Sequence, residues 1–277
     1  MAEPVVLLVD NGSRRAAATL GLRRIAAALG EASGYPVSPV SLQHADQVAA
    51  DELDGVAASV FPQFMREQLR EGRREFVVVP LFFGPSRALS GFIPQQLEQL
   101  EKTFGAVDLR IADVLVPLPR GEPRLADILA DHAVHAGVSL DVGDDHVIVV
   151  DHGSPLPQVN AVRRYAVEAL RQRLPKHIVI EQVAMERRDG ADYQFNGELL
   201  GELLDRIAGE RHAVSAAIAM LFLLPGRHAG PGGDIADICE AAMARHPGLE
   251  VAISPLIGEH PKLIEILHDR LRGALMR

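Results

Sequence analysis

The sequence predicts an α/β protein built as two tandem lobes, each a four-stranded parallel sheet flanked by helices. Three observations lead there. Short continuous apolar runs alternate with amphipathic, Ala/Leu/Arg-rich segments, which is how parallel strands covered on both faces by crossover helices read. The alternation occurs twice. Landmark segments also recur in the same order about 140 residues apart. Val6–Ser13 (VLLVDNGS) returns as Ile148–Ser154 (IVVDHGS), Pro80–Pro94 (PLFFGPSRALSGFIP) as Met220–Ile235 (MLFLLPGRHAGPGGDI), and Val116–Leu129 (VPLPRGEPRLADIL) as Ser254–Leu267 (SPLIGEHPKLIEIL).

In the first copy the apolar runs place strands at Pro4–Val9, Val37–Leu42, Phe76–Phe83 and Val107–Leu115. Helical periodicity places helices at Arg14–Leu29, Asp51–Glu71, Ile93–Phe104 and Arg124–Ala136. In the second copy strands are expected at Val147–Val150, Ile178–Ala184, Ala213–Leu224 and Leu249–Ser254. Its helices are expected at Val159–Leu174, Glu198–Ala208, Asp234–Arg245 and Pro261–Met276. The polar break near Gly137–Asp145 separates a first lobe, 1–140, from a second, 141–277.

Composition removes several function classes. A formal charge of −9 disfavours a nucleic-acid partner, and the absence of Trp leaves little for a base-stacking platform. Cys239 is the single cysteine, so internal disulfides, and cysteine-only zinc sites or iron–sulfur clusters built from one chain, are excluded. There is no signal-like N-terminal segment and no apolar run long enough to span a membrane, so the cytoplasm is the expected compartment.

The copies diverge where chemistry would sit. His152 stands where the first copy has Asn11, His228 where it has Ala88, and Glu186 roughly where it has Gln43. Each follows a strand, and ligands of open parallel sheets bind beyond the carboxyl ends of the strands. Imidazoles with a carboxylate suit borderline divalent metals. A histidine in a tight turn commonly does no more than satisfy backbone carbonyls, and a glutamate past a strand is commonly a solvated charge. The sister copy keeps the Asp-x-Gly-Ser turn without the histidine, so the turn itself does not require it. Pro225–Ile235 (PGRHAGPGGDI) is glycine-rich at a helix start, where backbone N–H groups suit anions and Asp234 is placed to cap the helix. It is neither a Walker A loop nor a GxGxxG loop, and neither Ser13 nor Ser154 lies in G-x-S-x-G. Seven other histidines, His132, His135, His146, His177, His212, His246 and His268, are expected in solvent on helix faces or outer loops. His260 follows the last strand, at a position where the first copy has Glu122. Cys239 is expected to be a small buried apolar residue.

The strand-HGS turn and LFLLPGRHAGPGGDI resemble the class II sirohydrochlorin chelatases of the CbiX/SirB type, in the long form of two chelatase-like lobes with a cleft between them. The resemblance covers essentially the whole chain, and the second motif is its specific part. It implies ATP-independent insertion of Co2+ or Fe2+ into sirohydrochlorin, in cobalamin or siroheme synthesis, with no permanently bound cofactor. It implies His152 and His228 as active-site histidines and Glu186 as a metal-binding glutamate, all in the second lobe. Ser154, Arg227, Gly232 and Gly233 are expected to hold the carboxylates of the macrocycle, with Arg14 and Arg87 as further candidates in the first lobe. The fused pair of lobes suits a monomer. The rival reading is a non-catalytic carrier of metal or tetrapyrrole.

Overall fold

The computed structural model describes residues 3–138, 146–211 and 213–277. Most of the polar break expected to divide the repeats (139–145) lies outside the described residues, as does His212. The chain runs β1 (Val5–Asp10), α1 (Ala16–Ser33), β2 (Val37–Ser41), α2 (Phe61–Arg70), β3 (Glu75–Pro80), α3 (Ile93–Phe104), β4 (Asp108–Ile111) and α4 (Pro123–His135). The second copy gives β5 (His146–Asp151), α5 (Pro157–Arg171), β6 (Val179–Ala184), α6 (Leu200–Glu210), β7 (Val214–Met220), α7 (Asp234–Arg245), β8 (Leu249–Ile253) and α8 (Lys262–Leu275).

Each copy forms one parallel four-stranded sheet, in the orders β2-β1-β3-β4 and β6-β5-β7-β8. The first strand of each copy is therefore internal, with its successor on one side and the third strand on the other. β5 pairs with β6 through Asp151 and Ala184 and with β7 through Val150 and Met220. Such an order reverses direction at β5, and the crevice above that reversal is where open α/β sheets bind ligands. The three strands that precede His152, Glu186 and His228 are thus neighbours. The central strands are buried on both faces, as their unbroken Val/Ile/Leu sequences require: Val147 to Val150 and Leu7 to Val9 have no exposed surface.

One compact unit contains Met1–Pro117 together with Pro261–Arg277, and the other contains Leu118–His260. The closing helices are therefore exchanged. α8, from the second copy, packs against α1 and β3, while α4, from the first copy, packs against α5 and β7. α4 buries Leu125, Ala126, Ile128, Leu129 and Ala133 in that position. Each fully buried leucine or isoleucine there is worth roughly 1.5–3 kcal/mol of transfer free energy. The halves 1–140 and 141–277 describe the repetition in sequence, and the compact units are cut differently.

The structure corrects the helix expected over Asp51–Glu71. A short 3-10 turn, Ala50–Leu53, is followed by Asp54 at φ 58° and Gly55 at φ 80°, both left-handed, and the α-helix begins only at Phe61. Two successive positive φ values cannot continue a right-handed helix. β3, β4 and β7 are shorter than their apolar runs. Past the ends of β3 and β7 the chain stays hydrogen-bonded, but to the segments that follow β4 and β8: Leu115 N–H donates to Phe82 O at 2.9 Å, and Ile257 N–H to Phe222 O at 2.9 Å.

Two histidines expected in solvent are buried. His132, on the inward face of α4, is 5% exposed and stacks edge-on against His260 with ring centroids 5.4 Å apart. Burial, reinforced by the charge of His260, pushes its imidazole down to about 4, so it is neutral at physiological pH. His146, at the start of β5, is also buried and lies 3.1 Å from Glu181. Cys239 is buried as expected, and burial pushes its thiol up to about 12, which leaves it chemically inert. Among the described residues, no helix is long and apolar enough to cross a membrane.

Candidate active site

The loop after β5 is built on glycine. Gly153 has φ +87°, and a Cβ on it would lie 1.9 Å from the carbonyl oxygen of Glu186. Only glycine permits that approach, and the approach brings the His152 and Glu186 segments together. Two backbone bonds complete the junction: Met185 N–H donates to Asp151 O at 2.8 Å and Glu186 N–H to His152 O at 3.2 Å. Ser154 Oγ accepts the Leu156 N–H at 3.1 Å, turning the chain into α5. Ser13 makes the same bond to Arg15 at 3.1 Å in the first copy, so this serine shapes the turn in both halves.

The loop after β7 is closed by its own hydrogen bonds. Gly226 N–H donates to Ala229 O at 2.8 Å, Gly233 N–H to Gly230 O at 3.1 Å, Asp234 N–H to Arg227 O at 3.2 Å and Ile235 N–H to His228 O at 3.2 Å. Gly233 lies against the His228 carbonyl, where a Cβ would come within 3.0 Å, whereas Gly232, at φ +67°, faces open space. The N–H of Gly233 is thus spent inside the loop and is not presented outward. Asp234 does not cap α7: Gly233 holds the cap position, and Asp234 is the first residue of the helix. Its carboxylate instead accepts from His228 Nδ1 at 2.6 Å, with exposed Arg227 at 3.7 Å from the same oxygen.

These two loops bring the imidazoles face to edge, with centroids 4.5 Å apart and Nε2 3.2 Å from Nε2. The Glu186 carboxylate lies 3.3 Å from His152 Nε2. All three groups named from the sequence therefore converge, with His152 in the middle. The tautomers follow from the partners. Nδ1 of His152 faces the Gly153 carbonyl at 3.1 Å, and Nδ1 of His228 faces Asp234, so each Nδ1 carries the proton. Each Nε2 then presents a bare lone pair. Two lone pairs and a carboxylate oxygen facing one another at these distances repel unless a cation, a proton or a metal, lies among them. Among the described residues, no group of three or more His, Cys, Asp or Glu side chains is arranged to hold a metal ion by itself. The site is an open pair of imidazoles with a carboxylate beside it, not a closed cage.

Two hollows lie against these loops in this unit. One, of about 340 Å³, is lined by His152, Gly153, Ser154, Pro155, Glu186, Arg187 and Arg188. Arg187 is tied to the Gly197 carbonyl, while exposed Arg188 lies over the face of Tyr193, 5.8 Å from the ring centre. The other, of about 280 Å³, is mainly apolar and lies beyond the His228 loop, lined among others by Met220, Pro225, Pro231, Ile235 and Leu256.

Below the His152 turn lies a buried group that sequence reasoning missed. Arg163 of α5 is 2% exposed and donates to the Asp151 carboxylate, to Val183 O at 2.8 Å and to Asn196 O at 2.5 Å. Burial pushes the Asp151 carboxyl above its usual range, and the Arg163 guanidinium opposes that rise. A polar residue amid the apolar positions of a helix (VNAVRRYAVEAL) was the available signal.

The first copy keeps the turn without the two histidines and the glutamate. Gly12 also has φ +87° and sits against the Gln43 carbonyl, which confirms that Gln43 is the counterpart of Glu186. In place of the glycine loop, Ala88–Phe92 form a π-helical turn continuous with α3, so the missing histidine accompanies a rebuilt backbone. Leu22 stands where the second copy has Arg163, and Asp10 is left buried with one carboxylate oxygen unpartnered. Burial pushes its carboxyl up to about 6, against hydrogen bonds from Ser41 and the Gly12 N–H. A raised carboxyl means that the folded state binds the extra proton between 3.8 and about 6, so this group's contribution to stability falls as pH rises through that window. Asp10→Asn is accordingly expected to gain stability relative to the parent by about 2–3 kcal/mol on going from pH 4 to pH 8. Urea unfolding at the two pH values measures this, and a pH-independent difference would contradict it.

Comparison with known proteins adds the following. The CbiX family model matches twice, over residues 5–134 and 146–274. No curated protein matches the chain in sequence. Among solved structures, "SirB from Bacillus subtilis with Fe3+" is similar at a TM-score of 0.69 and 15% identity, covering 99% of this chain and 96% of that one. A cobalt complex of the sirohydrochlorin chelatase SirB from Bacillus subtilis subspecies spizizenii gives 0.64 and 14%, covering 99% and 95%. CbiX, described as the terminal enzyme for biosynthesis of siroheme in denitrifying bacteria, gives 0.59 and 14%, covering 98% and 99%.

Proposed function

The chain belongs to the CbiX family, and on that footing we propose that it is a sirohydrochlorin chelatase, inserting Co2+ or Fe2+ without ATP from a single site in the second copy. The observation that carries this reading is the convergence of the two Nε2 atoms, 3.2 Å apart. Two donors about 2.1 Å from one ion are separated by about 3.0 Å in octahedral and about 3.4 Å in tetrahedral geometry, so the observed spacing suits a shared divalent cation.

Insertion exchanges M2+ for the two pyrrole N–H protons, and charge is conserved. His152 and His228 hold the arriving cation and, once it has passed to the ring nitrogens, accept protons in its place. Glu186 assists as a carboxylate ligand or proton acceptor. Asp234 accepts from His228 Nδ1 and so holds the ring with Nε2 turned to His152, the service that carboxylates give to metal-binding imidazoles. An open pair of imidazoles suits metal in transit, whereas a carrier that stored the ion would gain from a closed ligand set. The polar hollow offers Arg188 and Ser154 to acidic side chains, with Arg227 beside the second histidine, and the apolar hollow suits a ring edge. Gly232 and Gly233 contribute by allowing the loop its close turn. With a net charge of −9, substrate must be drawn by this local cationic lining and not by the field of the whole protein.

The test is anaerobic incubation of catalytic amounts of protein with sirohydrochlorin and either Co2+ or Fe2+, followed by absorbance. Many turnovers per chain are expected. Stoichiometric binding with no rate above the spontaneous reaction would make the protein a carrier.

A further inference from the structure

We infer that Arg163 is a positioning residue for metal insertion, acting from beneath the site to restrain the His152 turn against β6 and the Asn196 segment; this rests on the chelatase reading. Its guanidinium reaches three chain segments at once. It binds Asp151, the residue before His152. It binds the carbonyl of Val183 in β6, the strand that leads to Glu186, at 2.8 Å. It also binds the carbonyl of Asn196 at 2.5 Å. Asn196, itself 1% exposed, clasps the other side of the histidine turn: its Oδ1 accepts the Ser154 N–H at 3.0 Å and its Nδ2 donates to Ser154 O at 2.9 Å. The two residues that bracket His152 and Gly153 are thus held from below by one arginine and its asparagine. The planar, forked donor set of arginine suits it to bridging acceptors on three segments in a fixed geometry.

The first copy shows that the fold does not need this. There the same turn forms over Leu22, with Gly12 again at φ +87° and the same two crossing bonds, Leu42 N–H to Asp10 O at 2.9 Å and Gln43 N–H to Asn11 O at 3.3 Å. A buried guanidinium is costly to desolvate, and one of its donors, Nε, is buried without a partner. The copy that carries the cost is the copy that carries both imidazoles and the carboxylate. The last of the junction bonds is 3.3 Å in the first copy and 3.2 Å in the second, so the backbone turn is common to both. What Arg163 adds is restraint on the parts of the loops around it.

Arg163→Leu copies the first half. It is expected to lower the urea midpoint and to reduce kcat about a hundredfold, with the KM for sirohydrochlorin changed by less than about threefold. Asp151→Asn combined with Arg163→Leu removes the carboxylate left without a counter-charge. This double variant is expected to recover the midpoint while kcat stays low, because the clasp is still missing. Recovery of kcat together with the midpoint would reduce Arg163 to charge balance and overturn the inference. Failure of both variants to fold would make it a purely structural residue and also overturn it. Should the wild-type protein turn over no metal at all, Co2+ titration by absorbance decides separately: binding weakened about tenfold or more in the double variant supports positioning, and unchanged binding refutes it.

Discussion

His152→Ala and His228→Ala are each expected to reduce metal insertion by about 10²–10⁴-fold with little change in stability. Either change leaves one Nε2, which can neither chelate a cation nor relay both protons. Both side chains stand on loops at the carboxyl ends of β5 and β7, with the His152 side chain 45% and that of His228 28% exposed, so no core is disturbed. The double variant is expected to be scarcely worse than either single one, because the two rings act as a unit. Asp234→Asn is expected to be milder, about 10–100-fold, since the ring remains while its tautomer is no longer enforced. Asn11→Ala, at the same turn of the first copy, is expected to leave the rate within about twofold of the parent. Initial rates with saturating sirohydrochlorin and metal measure all five variants, and a loss for Asn11→Ala equal to that of His152→Ala would show that the first copy works as well.

The largest stability effect is expected from a single methyl group. Gly153→Ala places Cβ 1.9 Å from the Glu186 carbonyl at a φ of +87°. The contact is with backbone on both sides, so neither partner can yield without opening the Asp151–Met185 and His152–Glu186 junction. A non-glycine residue in the left-handed region costs about 1–2 kcal/mol by itself, and the overlap adds more, for a total of at least about 3 kcal/mol with insertion abolished. Gly232→Ala meets nothing within 4 Å, and its cost is limited to its left-handed φ of +67°, about 1 kcal/mol. Urea unfolding compares the two. Equal destabilisation would mean that the close approach of the two loops is not what fixes the turn.

The strands were legible because buried parallel strands carry their burial in composition, and the duplication checked each one against its partner. The three converging side chains were legible for a related reason. His152, His228 and Glu186 stood out against Asn11, Ala88 and Gln43 on turns whose other residues were kept. What sequence did not carry was long-range. Nothing in the apolar periodicity of α4 and α8 says which sheet their faces will cover, and the exchange of closing helices is a matter of connection and not of pattern. Nothing in ADHAVHA marks His132 as inward-facing, yet it faces the same way as buried Ile128 and Leu129. Asp234 carried the usual signature of a capping residue, and only the geometry shows its carboxylate turned to His228. Arg163 was hidden because one charged residue in an amphipathic helix does not show which of its neighbours face inward.

One cation is expected to bind between the two second-copy imidazoles, and anomalous diffraction from crystals of the protein soaked in Co2+ would locate it. The expected cobalt peak lies about 2.1 Å from Nε2 of both His152 and His228, on the side of Glu186, with none at Asn11 and Gln43. A peak on the first-copy turn, or cobalt bound elsewhere while the two Nε2 atoms stay unligated, would contradict it.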